Sequence, residues 1–273
     1  MSFLIFTINF FCTDKIRDFL NSINCDEECC IVILDNSVDI YEWEKLKRLM
    51  LEFPCLDIKI ENMKSNLGYS GGNQFLYEKY RNYDYEKLII ANPDVKFSSN
   101  FFHTLQLKQI KKLETLSFRT RDDSGKVLYD RVGLKGFLTK YYIEKDAGIF
   151  MTDYLPGSCF VLDKSINLDY LFDPSFFMYW EEIDLAIRLK SLDYKLYATN
   201  LASIMRVKNS QQSINNAFFW SAKNSFRLTN KIKKGHIYYL IRLIALGVYF
   251  SCRQLSFSPI IKIVSGILSG IKL

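Results

Sequence analysis

The chain has 273 residues, 49% of them apolar and 24% charged, which is enough for one large domain with its own core and excludes collagen-like, low-complexity and multi-span membrane classes. Its formal charge of +6 is unevenly spread, because the stretch from Arg206 to Leu273 carries eleven Lys or Arg and no Asp or Glu; the basic end therefore faces a different partner from the rest. Seven cysteines, irregularly spaced, argue for free thiols in a reducing compartment, and the cluster Cys25, Cys29 and Cys30 lacks the second pair or nearby His that a zinc site needs.

From the N-terminus, residues 3–8 (FLIFTI), 31–34 (IVIL), 56–60 (LDIKI) and 87–91 (KLIIA) are short apolar or β-branched runs, read as strands. The stretches Asp14 to Ile23, Glu42 to Leu51 and Gly72 to Tyr80 between them have helical length. The first run lacks the basic flank and small-residue cleavage site of a signal peptide and reads as a core strand. This alternation predicts an α/β fold, a mostly parallel sheet flanked by helices, with ligands at the carboxyl ends of the strands. Residues 121–154 mix glycines, charges and aromatics and read as a long connection or small subdomain. A strand at Gly157 to Leu162 and a helix at Tyr179 to Leu192 follow. Three more helices are expected at Ile214–Asn230, Ile237–Ser251 and Pro259–Ile271, with a break at residues 231–235.

Three segments carry chemistry. Asn66-Leu-Gly-Tyr-Ser-Gly-Gly-Asn73 lies between a strand and a helix, so its glycines can let backbone N–H groups approach a phosphate; it reads equally well as a plain strand-to-helix turn. Asn92-Pro-Asp94 follows the strand KLIIA and sets Asp94 at the sheet's carboxyl edge, where a hard cation can join it to a diphosphate, although Asn-Pro-Asp is also a common turn. Phe172 to Leu185 (FDPSFFMYWEEIDL) is the most specific stretch. Its carboxylates Glu181, Glu182 and Asp184 open a helix after a run of aromatics, surroundings that raise a carboxylate toward the range of a general base. The bland alternative is acidic charge at a helix N-terminus, with Asp184 paired to Arg188.

In this order the segments resemble the inverting family 2 glycosyltransferases of the GT-A (Rossmann-like) fold, in particular the rhamnosyltransferase-like group of bacterial polysaccharide synthesis. The resemblance runs through Asp35-Asn36-Ser37, Asn66 to Asn73, Asn92-Pro-Asp94, Gly157-Ser-Cys-Phe160 and Phe172 to Leu185, roughly residues 1–200. It implies transfer of a sugar, with inversion, from a UDP- or dTDP-sugar to a saccharide or lipid-linked hydroxyl in capsule or O-antigen synthesis. It further implies that Thr7, Asn9 and Asp35 surround the nucleoside, that Asn66, Tyr69 and Asn73 line the diphosphate and sugar, and that Asn36, Gly68 and Asn92 also belong to the donor site. Asp94 would hold Mg²⁺ or Mn²⁺, Glu182 would be the base with Glu181 and Asp184 beside it, and Trp180 would lie on the acceptor side. Two departures stand out: Glu182 occupies the place of the group's usual Asp, and Arg206 stands where a metal-assisting His is frequent. Arginine cannot bind a cation but can contact the diphosphate.

The expected division is a catalytic domain over residues 1–205 and a basic, amphipathic helical segment over 206–273. Residues 237–250 are too short and too interrupted by Arg242 for a membrane span, yet too apolar for a nucleic-acid-binding face. A helix lying on an anionic membrane fits best, which implies a cytoplasmic protein at the inner face of the plasma membrane; the alternative is that the C-terminal helices simply pack on the catalytic domain, and both can hold for different faces. The competing readings are a catalytically inactive transferase-like scaffold and a basic membrane-binding module without catalysis.

Overall fold

The chain opens on a β-α alternation whose strands supply the parallel half of a mixed sheet. The computed structural model describes residues 2–24, 28–108, 110–135, 138–166, 168–206, 214–232, 236–254 and 256–271. β1 (Phe3–Asn9), α1 (Thr13–Asn21), β2 (Cys29–Asp35), α2 (Ile40–Met50), β3 (Asp57–Asn62), α3 (Gly68–Tyr80) and β4 (Lys87–Ala91) come first. β1 pairs in parallel with β2 on one side and β4 on the other, and β2 pairs with β3. Strand order thus reverses at β1. In a doubly wound sheet the crevice at such a reversal, beyond the carboxyl ends of the strands, is where ligands bind.

β1 is buried along its whole length because both faces of the sheet are covered. Its alternate side chains enter two cores: Phe3 and Ile5 join Ile31, Ile33, Phe101 and Phe118 on one face, whereas Leu4 and Phe6 join Val32, Leu34, Leu76 and Phe160 on the other. α2 starts where it does because the Asp39 carboxylate accepts from the N–H groups of Tyr41 and Glu42. Buried Phe97, Phe101, Phe102 and Phe118 form a connected chain of ring contacts in the core.

The second half begins with β5 (Val95–Phe97), α4 (Phe101–Leu107), β6 (Glu114–Asp122), β7 (Val127–Tyr129), β8 (Arg131–Lys135), β9 (Leu138–Tyr142) and β10 (Ile149–Met151). β11 (Cys159–Asp163), a 3₁₀ turn (Pro174–Phe176), α5 (Glu181–Ser191) and β12 (Lys195–Arg206) complete it. β11 inserts antiparallel between β4 and β6, and β6 pairs in parallel with β12. The sequence reading has no strand where β6 lies. Arg119 and Arg121 interrupt its apolar pattern, but Arg119 reaches the fully buried Asp130 carboxylate, which makes the cation compatible with a sheet interior. Within residues 121–154, expected as a long connection or small subdomain, the hairpin β8–β9 forms a separate two-stranded sheet, while β7 and β10 pair with β6 and β12 of the main sheet.

α6 (Ile214–Ile232), α7 (His236–Gln254) and α8 (Ser258–Ile271) match the three expected helices to within three residues at each end; residues 233–235 of the expected break lie outside the described residues. α8 packs closely on α6 because Gly266 and Gly270 leave room: a Cβ on Gly266 would sit 3.0 Å from Ala222 Cβ, and one on Gly270 would sit 3.0 Å from the Lys223 carbonyl oxygen. No helix among the described residues is long and apolar enough to cross a membrane.

Candidate active site

The carboxyl ends of β1 and β2 bring the first expected residues together. Asn9 and Asp35 are register partners, and the Asn9 amide donates to Asp35 Oδ1 at 3.0 Å. Asp35 is completely buried, yet its second oxygen has no partner among the described residues, and neither does the hydroxyl of buried Thr7. Buried polar atoms are normally satisfied, so orphaned ones at a ligand crevice are open positions for hydrogen bonds from a bound molecule. Asn36 faces the next loop, donating to Asn66 Oδ1 at 2.9 Å and to the Gly68 carbonyl at 3.1 Å while accepting from the Leu67 N–H at 2.9 Å.

The glycines of the Asn66–Asn73 segment serve packing. Gly68 has φ +71°, a conformation that favours glycine, and a Cβ there would meet the Phe177 ring at 2.6 Å. A Cβ on Gly72 would meet Ile8 Cδ1 at 2.8 Å, so this residue sets how closely α3 lies on the sheet. The N–H of Ser70 in the first turn of α3 donates to the Phe177 carbonyl at 3.1 Å, which spends part of the helix N-terminus on protein. The tyrosine is partly buried and the second asparagine buried. Tyr69 donates its hydroxyl to the Gly157 carbonyl at 2.8 Å, and Asn73 keeps a buried, unpartnered Oδ1.

Asn92-Pro-Asp94 is a turn, closed by the Val95 N–H on the Asn92 carbonyl at 3.1 Å, and it also carries the expected carboxylate to the edge. Asp94 is 5% exposed. Its Oδ2 accepts from Arg206 Nε at 3.3 Å, and its Oδ1 has no partner among the described residues. Arg206 ends β12, whose pairing with β5 sets it opposite Val95; its side chain is nearly half exposed and so is available to an anion in the crevice. Among the described residues no three His, Cys, Asp or Glu gather in a metal-binding group. A single free carboxylate oxygen still suits a hard cation that takes its remaining ligands from phosphate and water.

The acidic segment forms the other wall. Three residues before α5 have positive φ, Phe177 at 57°, Tyr179 at 68° and Trp180 at 75°, a costly run for bulky side chains. It delivers Glu181 and Glu182 to the start of α5. Glu182 lies against Gly157, where a Cβ would come within 2.8 Å of its carboxyl carbon. Burial pushes the Glu182 carboxyl up to about 7, against opposing pulls from its own N–H, the Arg206 charge and the Gly157 N–H. Burial, then the neighbouring Glu182 charge, holds Glu181 well above the usual carboxylate range. Asp184 is engaged elsewhere, accepting from Arg188 at 2.8 Å and Lys231 at 2.6 Å. Trp180 turns its indole toward α6 and donates to Ser221 Oγ at 3.0 Å.

Sequence reasoning missed Asn224 of α6. Its buried amide donates to the carbonyls of Phe176, Met178 and Tyr179, at 2.7 and 3.1 Å for the last two. Trp220, one turn earlier, stacks on Phe177 with centroids 4.5 Å apart. Tyr154 was missed as well. Burial and then the charge of Glu182 raise its phenol, which places an aromatic wall beside that carboxylate.

A parallel sheet reversing at β1, an antiparallel β11 and a carboxylate-bearing helix across the crevice define the GT-A glycosyltransferase fold. The chain superimposes on the mannosyltransferase PcManGT from Pyrobaculum calidifontis, solved in complex with GDP-Man and Mn²⁺, with a TM-score of 0.60 at 9% identity, covering 99% of this chain and 87% of that one. Against GalNAc-T7, solved with UDP, GalNAc and Mn²⁺, the TM-score is 0.66 at 10% identity, covering 84% of this chain and 48% of that one. In sequence the chain is a distant homologue of the rhamnosyltransferase WbbL of Escherichia coli K12, 26% identical over 243 residues that make up 78% of this chain and 87% of the relative. It is also 24% identical over 202 residues, 68% of this chain and 61% of the relative, to the low-salt glycan biosynthesis hexosyltransferase Agl10 of Haloferax volcanii. No family model matches the sequence.

Proposed function

We propose that the protein is an inverting glycosyltransferase that moves a hexosyl group from a UDP- or dTDP-sugar to a hydroxyl of a saccharide or lipid-linked saccharide in surface polysaccharide synthesis, working peripherally at the inner face of the plasma membrane. The observation that carries this reading is Glu182. Its carboxyl is raised to about 7 and seated on Gly157, across a switch-point crevice from the Asp94–Arg206 pair. The distant likeness to a rhamnosyltransferase and a hexosyltransferase supports the same chemistry.

In this reading Thr7 and Asp35 receive the nucleoside through the orphaned oxygens near the ends of β1 and β2, with Asn9 holding the Asp35 carboxylate and Asn36 organising the loop beside them. Asn66, Gly68, Tyr69, Asn73 and Asn92 shape the wall along the diphosphate and sugar. Glu182 accepts the proton of the acceptor hydroxyl as its oxygen bonds to the anomeric carbon, and the bond from that carbon to the diphosphate oxygen breaks on the opposite face. Arg206 offsets charge on the departing diphosphate. Asp94 would hold a divalent cation, Mg²⁺ or Mn²⁺, through Oδ1, which would supply further positive charge at the diphosphate. Trp180 borders the acceptor side, and Glu181 keeps the pocket around Glu182 protonatable. Residues 1–205 form the catalytic domain and 206–273 a basic helical segment, with α6 bridging the two.

The test is a side-by-side comparison of Glu181→Gln, Glu182→Gln and Asp184→Asn for sugar transfer, donor binding and melting temperature. Glu182→Gln should fold, bind donor and lose about 10²–10⁴-fold in turnover, the usual worth of general-base assistance. Near-wild-type transfer by that variant would remove Glu182 from the mechanism. A wild-type protein that neither transfers sugar nor hydrolyses any UDP- or dTDP-sugar, with either cation, would instead be a transferase-like scaffold.

A further inference from the structure

The outward face of the last two helices is apolar where a helix at a protein surface is ordinarily polar. α8 directs Ile263 and Ile267 inward, against Ala222 of α6 and Leu243 of α7, and closes on α6 through Gly266 and Gly270. Its opposite face presents Ile261, Val264, Leu268 and Ile271, with Ile261 61% exposed and Leu268 56%. α7 repeats the pattern. Leu243 is buried and Gly247 packs against Ile260 of α8, while Ile241, Ile244 and Val248 remain exposed. Both helices have therefore satisfied their inner faces, and a second hydrophobic face is left over on each.

Charge selects the occupant. Arg242 and Arg253 of α7 lie about three turns apart, hence on one stripe, at the flank of the exposed apolar arc next to exposed Tyr249, and Lys262 lies in α8. From Arg206 to the end the chain has no Asp or Glu. A second copy docking through this face would bring like charges together with no acid to pair them. A bilayer with anionic headgroups offers both the apolar depth and the opposite charge.

We propose that α7 and α8 dock flat on an anionic lipid bilayer, with Ile261, Val264, Leu268 and the exposed isoleucines of α7 inserted at the headgroup boundary and Arg242, Arg253 and Lys262 at the phosphates. This rests on the peripheral placement given above and names its contact surface. It also orients the enzyme, because α6, which carries these helices, holds the loop that leads into Glu181 and Glu182.

The experiment is flotation of the full chain with phosphatidylcholine vesicles and with vesicles containing a third phosphatidylglycerol, alongside Ile261→Ser/Leu268→Ser and Arg242→Gln/Arg253→Gln. Each of the four positions is at the surface or partly exposed, so melting temperature and nucleotide-sugar binding should stay at wild-type values and report folding independently. The wild type should float with anionic vesicles and much less with neutral ones. The serine pair should lower the partition coefficient at least about tenfold, given the apolar area withdrawn from the bilayer, and the glutamine pair should lower it most at low salt, its difference from wild type shrinking as salt rises. Equal flotation of wild type and both variants overturns the proposal. So does a wild type that stays off the vesicles but forms a dimer which the serine pair disrupts. Neither result depends on turnover, so loss of this inference and loss of the transferase reading are distinguishable.

Discussion

Gly157→Ala tests whether the position of the Glu182 carboxylate, as opposed to its presence, governs turnover. Gly157 has no positive φ to relieve, so alanine fits the backbone and the effect falls on its neighbour. The new Cβ would lie 2.8 Å from the Glu182 carboxyl carbon and 3.0 Å from its Cγ, where ordinary contact begins at 3.4 Å. The carboxylate must withdraw by roughly 1 Å, and a displacement of that size at a reacting group costs about 10²-fold in rate. Withdrawal also separates it from the Gly157 N–H, one of the groups opposing the upward shift of its pKa. Stability should change little, because the clash is with the far end of a flexible side chain and alanine restricts the unfolded chain. Steady-state transfer at saturating donor and acceptor, with the donor Kd measured separately, should show kcat down about 10²-fold and donor binding intact. A kcat within threefold of wild type would refute the reasoning, since the base would then tolerate displacement from the place the structure gives it.

Glu182 must be ionised to accept a proton, so kcat/KM should rise with pH through about 7 and then level, and Glu182→Gln should flatten that limb. Glu181 has a raised carboxyl in the fold, so its burial opposes folding above the ordinary pKa of 4.5 and not below it; Glu181→Gln should raise the melting temperature at pH 8 by more than at pH 5. For the anion site, Asp94→Ala should weaken nucleotide-sugar binding chiefly when Mg²⁺ or Mn²⁺ is present, whereas Arg206→Ala should weaken it with or without cation. Calorimetric titration in chelator and in metal separates the two.

The parallel half of the sheet was legible because β1, β2 and β4 are buried on both faces and read as unbroken apolar runs. The β12 side was not. Its partner β6 hides Arg119 in an ion pair with Asp130 that exists only after residues 119 and 130 meet, and one-dimensional patterning cannot express that compensation. The site followed the same division. Asp35, Asp94 and Glu182 stand out as candidates in sequence because each sits at a local boundary, a strand end or a helix start, that leaves a mark there. Gly68 and Gly72 were legible as glycines but not in their role, since what fills the space beside them, Phe177 and Ile8, comes from distant segments. Asp184 illustrates the converse. Its pairing with Arg188 was readable from helical spacing, while the second cation, Lys231, arrives from α6 and was not.

Asn224 left no trace in sequence because an asparagine in a helix has no local signature when its partners lie more than forty residues away. In the structure it is the residue that makes the strained approach to α5 possible. Phe177, Tyr179 and Trp180 adopt positive φ, each at a cost of order 1 kcal/mol or more, and carbonyls of Phe176, Met178 and Tyr179 converge on the Asn224 amide. Asn224→Ala leaves those carbonyls without that donor, so the loop should relax and Glu182 should lose its fixed origin. The loss of hydrogen bonds at a buried site suggests a destabilisation of about 2 kcal/mol. Turnover measured well below the melting temperature should fall by about 10–10²-fold while donor binding, which is proposed to rest on β1, β2 and Arg206, stays near wild type. Leu243→Ala is the comparison: it empties part of the cluster between α7 and α8 and should cost at least as much stability, about 2–5 kcal/mol, without touching the loop. If both variants lose stability and both keep normal turnover, Asn224 supports the fold alone; if only Asn224→Ala loses turnover, α6 positions the base.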